Sequence, residues 1–315
     1  MSGYKIGEKG IIGKIFNKLS IIAAPAWVDA TAMLIPSNQE VETYAALGMS
    51  PMMREWIGGR DAKKLRESDY QIRNKIFEAT LEVMVDDLRR DKTGQLDVRI
   101  SELARRAQGH WAKLLSEVLV AATSGDCWDG QYFFDTDHGW GDSGTQLNLL
   151  AAAQVGALDV TAATAPTVEE MIDAVLGVIA YMLSYKDDQG EPMNEDAREF
   201  LVMVGTPALW GALMGALGQT QVASGETNVL ATLDGFKIRG EFNPRLSALT
   251  TVMMVFRTDS DVKPLIRQEE VPIEVSAIAE GSELEFTNNV HHYGLKSVRN
   301  VGYGFWQMAS HSTFS

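Results

Sequence analysis

The sequence predicts an α+β protein of two subdomains with arms, and three observations predict it. Residues 77–86 alternate apolar and polar side chains at the strand period of two. From Ile100 the apolar residues recur instead at steps of three and four, the helical period, for about six turns. The last third returns to short apolar and aromatic stretches of strand character, which separates strand-rich from helix-rich parts of the chain.

The elements follow in order. Lys5, Lys9, Lys14 and Lys18 precede the apolar run at residues 20–28, but Pro25 interrupts that run and Asp29 ends it. This leaves about half of the ~20 apolar residues that a membrane span needs. The expectation is a soluble, non-secreted chain whose first fifty residues are an amphipathic helix and then an extended arm. Residues 54–57 are the expected partner of the 77–86 strand, and the charged connection 58–68 has little to bury against its own chain, so it projects. Ile100, Leu103, Ala104, Ala107, Trp111, Leu114, Leu115, Val118, Leu119 and Ala122 form one face of a long helix that stops at Gly125. Thr167-Val168-Glu169-Glu170 is a capping box for a helix ending before the turn at 186–192. Residues 200–204 form a short apolar strand, and Thr206 with Pro207 starts a helix over 208–217. Strands are expected at 236–242, 250–257 and 270–279, and in the aromatic tail 301–309. No internal repeat is visible.

Composition narrows the class. With 315 residues, 45% hydrophobic content and no low-complexity tract, the chain can bury a sizeable core. Cys127 stands alone, so an intramolecular disulfide and multi-cysteine zinc motifs are excluded, which fits a reducing compartment. The net charge of −14 is unevenly spread: residues 116–235 hold 2 Lys+Arg against 18 Asp+Glu. Such a block repels phosphate and disfavours coating or reading of nucleic acid.

One stretch concentrates chemistry, FFDTDHGWGDSG at residues 133–144. Asp135, Asp137 and His138 suit a divalent ion, but as a calcium loop the segment fails, with Trp140 where glycine belongs and Gln146 where glutamate belongs. Turn-forming Asp and Gly account for it more simply. Gly141-Asp142-Ser143-Gly144 resembles the nucleophile segment of trypsin-like proteases, yet Thr145 replaces the second glycine and His110 lies within a helix pattern. Gly10 to Ile15 lacks the first Gly and the Ser or Thr of a phosphate loop. Gly302-Tyr303-Gly304 lacks a third glycine, and His291-His292 lacks a ligand-spaced partner. Cys127 has no cationic neighbour in sequence, and Met52-Met53 fills apolar gaps. No catalytic constellation, metal site or cofactor site emerges.

Several separated segments together resemble one family. Residues 54–60 (REWIGGR), 74–80 (NKIFEAT) and 129–138 (DGQYFFDTDH), followed by 243–246 (NPRL), 263–268 (KPLIRQ), 293–296 (YGLK) and 302–307 (GYGFWQ), are similar to the Mu-like phage major head subunit, the gpT family. The similarity keeps the same order across residues 50–309; before Glu40 no motif matches. What the resemblance implies is a Hong Kong 97-type capsid fold. It places an N-terminal arm at 1–50 and an extended loop hairpin at 51–92. A peripheral domain with its spine helix (100–122) covers 93–149, an axial domain 150–245, and return strands of the peripheral domain 246–315.

The resemblance also implies a structural, non-catalytic head protein. Copies would form pentamers and hexamers of an icosahedral shell around packaged double-stranded DNA, assembled in the bacterial host cytoplasm with scaffold or head protease, portal and decoration proteins as partners. It implies no membrane role and no sequence-specific DNA binding. Expected contacts between subunits are Arg54, Trp56, Arg60, Lys63, Lys64, Arg66, Asp135, Asp137 and Trp140, with the basic loop meeting the acidic block of a neighbour. The competing readings are a cellular nanocompartment shell of the same fold, and a metal-dependent or serine hydrolase using residues 135–143.

Overall fold

The computed structural model describes residues 8–44, 70–90, 94–223 and 225–315. In chain order the helices are α1 (Glu8–Ile21), α2 (Ala26–Thr31), α3 (Val85–Arg90), α4 (Gln95–Gln108), α5 (His110–Val120), α6 (Val168–Leu183), α7 (Pro207–Gly218), α8 (Val229–Thr232) and α9 (Glu283–Asn288). The strands are β1 (Ala32–Pro36), β2 (Val41–Tyr44), β3 (Tyr70–Arg73), β4 (Lys75–Met84), β5 (His138–Gly139), β6 (Thr145–Gln146), β7 (Leu149–Leu150), β8 (Glu199–Val204), β9 (Lys237–Phe242), β10 (Val252–Arg257), β11 (Leu265–Ile278), β12 (Val290–Tyr303) and β13 (Ala309–Thr313). They sort onto a four-stranded sheet, β1-β11-β12-β4, a five-stranded sheet, β7-β13-β10-β8-β9, and two small ladders.

The five-stranded sheet is covered on both faces, which is why its central strands read as unbroken apolar runs. Phe200, Val202, Met203, Val204, Met253, Val255 and Phe256 are fully buried there. β8 and β9 run parallel with α7 as their crossover, and β10 lies antiparallel between β8 and β13. α6 begins at its capping box: Thr167 Oγ1 accepts from the Glu170 N–H at 3.2 Å, and the Glu170 carboxylate accepts from the Thr167 N–H at 2.8 Å. The Thr161 hydroxyl and then the Thr161 and Thr167 amides hold that carboxyl down to about 2. Thr167→Ala is expected to cost about 1 kcal/mol, read in urea as a lower midpoint at unchanged slope.

In the four-stranded sheet, Leu81 and Val83 of β4 face a second, smaller core with Ile11, Ile15, Leu19, Ile100, Ala104, Tyr293 and Leu295. The amphipathic helix expected in the first fifty residues is α1, and the described residues that follow it pack on their own chain. α1 packs on its own α4, Lys14 and Lys18 lie 2.9 and 3.6 Å from Asp97, β1 pairs with β11, and β2 pairs with β3. A fourteen-residue helix is marginal alone and is stabilised by burying its apolar face. Here α4 of the same chain supplies the surface.

The long helix exists but starts at Gln95 and is interrupted at Gly109, whose ψ of −4° departs from helical geometry. The strand at 77–86 is β4, paired antiparallel with β12; its expected partner at 54–57, and the connection 58–68, lie outside the described residues. The tail 301–309 is the end of β12, a 3-10 turn at Trp306–Met308, and the start of β13 in the other sheet. Residues 246–315 are accordingly divided between sheets, because β10 and β13 are buried strands needing cover on both faces while β11 and the distal part of β12 alternate.

A repeat also emerges where none was visible. After α5, α6 and α7 the chain makes the same tight hairpin, bridged at Asp126 and Tyr132, at Lys186 and Pro192, and at Gln221 and Thr227. Each has a glycine at φ near +85°, namely Gly130, Gly190 and Gly225, followed by Gln131, Glu191 or Glu226. Only glycine takes that φ without strain. The residues after the second and third hairpins return to the preceding helix, where Asn194 Nδ2 donates to Met182 O and Asn228 Nδ2 donates to Ala216 O. These bonds satisfy carbonyls that every helix end leaves open.

Candidate functional site

The loop at 133–144 is built by burial from inside, not by exposure of its polar groups. Phe133 and Phe134 are buried, and Phe133 stacks on Tyr303 with ring centroids 4.8 Å apart. Gly125 makes this possible, since a Cβ there would stand 2.2 Å from the Tyr303 hydroxyl. His138 is fully buried, lies parallel to the Trp306 ring at 4.1 Å, and places Nδ1 2.6 Å from Asp129 Oδ2 and Nε2 3.1 Å from Asn148 Oδ1.

Asn148 is the hub of the arrangement. Its Nδ2 donates to Phe133 O at 2.8 Å and to Trp306 O at 3.2 Å, while Oδ1 also accepts from the Asp135 N–H at 3.0 Å. One buried amide thus joins the loop after α5 to the turn before β13. Neither Asn148 nor Asp129 was singled out from the sequence; each stands among ordinary turn residues, and the partners lie up to 158 positions apart.

The candidate residues separate under this geometry. Asp135 accepts from the Tyr132 and Thr136 N–H groups, which is turn closure. Asp137 is exposed. Trp140, expected at a subunit contact, is buried in its own chain at 4% exposure, edge-to-face on Trp128 at 5.2 Å and packed with Met193, Phe305 and Met308. Most of its indole surface is taken up by that small core. Arg54, Trp56, Arg60, Lys63, Lys64 and Arg66 lie outside the described residues.

The hydrolase alternative finds no geometry to support it. Ser143 Oγ accepts from the Trp140 N–H and donates to Gly144 O, while both nitrogens of His138 are turned to Asp129 and Asn148. A nucleophile and its base must share a hydrogen bond. Burial pushes the Cys127 thiol far up, against activation. Among the described residues no cluster of three or more His, Cys, Asp or Glu has metal-binding geometry, and no helix is long and apolar enough to cross a membrane.

Exposed large apolar side chains sit on the four-stranded sheet and its extremity, with Ile76, Met84, Ile278 and Phe286 among them. Between α4, α5 and the same sheet runs an open groove of about 470 Å³.

The family model for the Mu-like prophage major head subunit gpT matches residues 10–161 and 242–314. All seven segments quoted above fall within those ranges, the match begins well before residue 50, and it omits 162–241, the stretch from α6 to β9. The Mu-like prophage FluMu major head subunit of Haemophilus influenzae is 27% identical over 298 residues, 94% of this chain and 69% of that protein. The major capsid protein of Escherichia phage Mu is 33% identical over 115 residues, 36% of this chain and 38% of that protein. Among solved structures, the procapsid of bacteriophage JBD30 superposes with a TM-score of 0.56 at 24% identity, covering 100% of this chain and 77% of that one. The fold is that of tailed-phage capsid proteins.

Proposed function

Because the chain belongs to the Mu-like prophage major head subunit family, we propose that many copies of it close into an icosahedral phage head around packaged double-stranded DNA. It is a major capsid protein, a structural subunit and not an enzyme. The observation that carries this reading is the family match over both ranges, with a capsid fold across the whole chain.

In that role the five-stranded sheet with α6, α7 and α8 is the axial domain, and the four-stranded sheet with α1, α4 and α5 is the peripheral domain. This moves 252–257 and 309–313 from the peripheral to the axial side of the expected division. The extended loop is proposed at 51–92, of which residues 70–90 are described and comprise β3, β4 and α3. Scaffold or head protease, portal and decoration proteins are the further partners, with assembly in the host cytoplasm.

The basic residues Arg60, Lys63, Lys64 and Arg66, with Arg54 and Trp56, are proposed to lie across a neighbour and meet its acidic 116–235 block, which supports assembly and sets register. Lys63→Glu together with Lys64→Glu is then expected to raise the concentration at which purified chain assembles by about tenfold at low salt, as one to two exposed pairs become repulsive. Light scattering against concentration reads that threshold. An unchanged threshold at low salt rejects the pairing.

A further inference from the structure

The β11–β12 ribbon ends in a tip that its own chain leaves exposed. Phe286 on α9 is 91% exposed, more than any other large apolar side chain among the described residues. Glu280 and Glu283 are exposed on either side of the turn that leads to it. That turn is braced, with the Glu285 carboxylate accepting from the Gly281 N–H at 2.7 Å and lying 3.4 Å from His291. The tip is therefore an acidic, held knob with one phenyl ring outward.

The open groove on the same domain has the opposite character. Phe77, Leu103, Ala107 and Leu295 line it, and Arg106, Lys113 and Lys296 are its exposed cations, against a single lining acid, Glu78, which accepts from the Thr80 hydroxyl at 2.9 Å. Deeper in, Arg299 is buried over the Trp111 ring at 4.6 Å, and its Nε has no hydrogen-bond acceptor. Arg106 and Lys113 have helical partners in Glu102 and Glu117, at 2.6 and 3.8 Å, but these are exposed pairs of small worth.

We propose that the Phe286 tip of one copy seats in the α4–α5 groove of a neighbouring copy, with Glu280 and Glu283 against Arg106, Lys113 and Lys296. The same chain cannot make this contact, because Val290, where the tip ends, and Leu295, the first residue of β12 to line the groove, are separated by five strand residues or about 17 Å, beyond the reach of a phenyl side chain. Knob and groove are different patches, so the contact is heterologous and propagates from copy to copy around a closed assembly. The inference rests on the reading of the chain as a shell subunit. Phe286→Ser is expected to leave the fold intact and raise the assembly threshold about tenfold, as for loss of one aromatic anchor.

The test mixes chains carrying Phe286→Cys with chains carrying Lys113→Cys, oxidises them under assembling conditions and resolves them without reductant. The native Cys127 is buried and stays silent. The expected result is a mixed disulfide at least about tenfold above that of Phe286→Cys paired with Lys237→Cys on remote β9, as for a specific over a chance contact. Equal yields overturn the proposal, as does a Lys113→Cys chain joined mainly to its own kind, which would assign the groove to a twofold contact. Micrographs of the same mixtures separate the two claims. Shells without the mixed disulfide overturn the tip contact and leave the shell reading standing; the disulfide without shells supports the contact and counts against the shell; neither overturns both.

Discussion

Asn148→Ala is expected to lower the unfolding free energy by about 4 kcal/mol. Four groups lose a hydrogen bond at once, namely the carbonyls of Phe133 and Trp306, the Asp135 N–H and His138 Nε2, and of these carbonyls Trp306 O keeps the Ala309 N–H. The cavity left is too small to explain such a cost, so the expected signature is polar. Asn148→Asp, which keeps the shape but sets an oxygen against the two carbonyls, should be as damaging as alanine or worse. Urea unfolding of both variants tests this. If Asn148→Asp is tolerated within 1 kcal/mol or so, the amide is not the hub described.

Acid is expected to loosen the subunit well above the range where carboxylates titrate. Burial brings His311 down from the ordinary 6.5 to about 4, against a small opposing hydrogen bond from its own backbone, and burial followed by Arg299 and Lys113 brings His110 to about 4 as well. The unfolded chain therefore binds these protons first as pH falls. Stability is full above about 6.5 and is lost progressively down to about 4. For the well-buried His311 the loss amounts to about 3 kcal/mol, and for the half-buried His110 to less, since water reaches its ring. Unfolding free energy measured from pH 7 to pH 4 should fall steadily, and His311→Gln should flatten the slope. A curve level down to pH 5 contradicts the assignment.

Legibility followed the locality of the signal. α6 and α7 were read to within a residue or two, because Thr167 and Glu170, or Thr206 and Pro207, carry the whole instruction within one turn. β4 was legible from its period of two and β8 from its unbroken apolar run. β12 was not, because His291, Ser297 and Arg299 occupy its buried face and erase the apolar alternation; Arg299 is accommodated by the Trp111 ring, Ala107 O and Glu269, all on other elements. The five-stranded sheet takes strands from 149 to 313, a pairing no local pattern encodes. In the loop, the charged and aromatic residues drew attention to Asp135, Asp137 and Trp140, while the hub was a neutral Asn148. The three hairpins share only a glycine and a following Gln or Glu, a signature too short to register without the helix ends beside it.

The central claim is that this chain builds a shell, and electron microscopy of the purified chain, concentrated after size-exclusion separation of assemblies from small oligomers, tests it most directly. The account predicts closed icosahedral particles, or the rings of five and six from which they are made. A uniform population of monomers or dimers at the highest soluble concentration would contradict it.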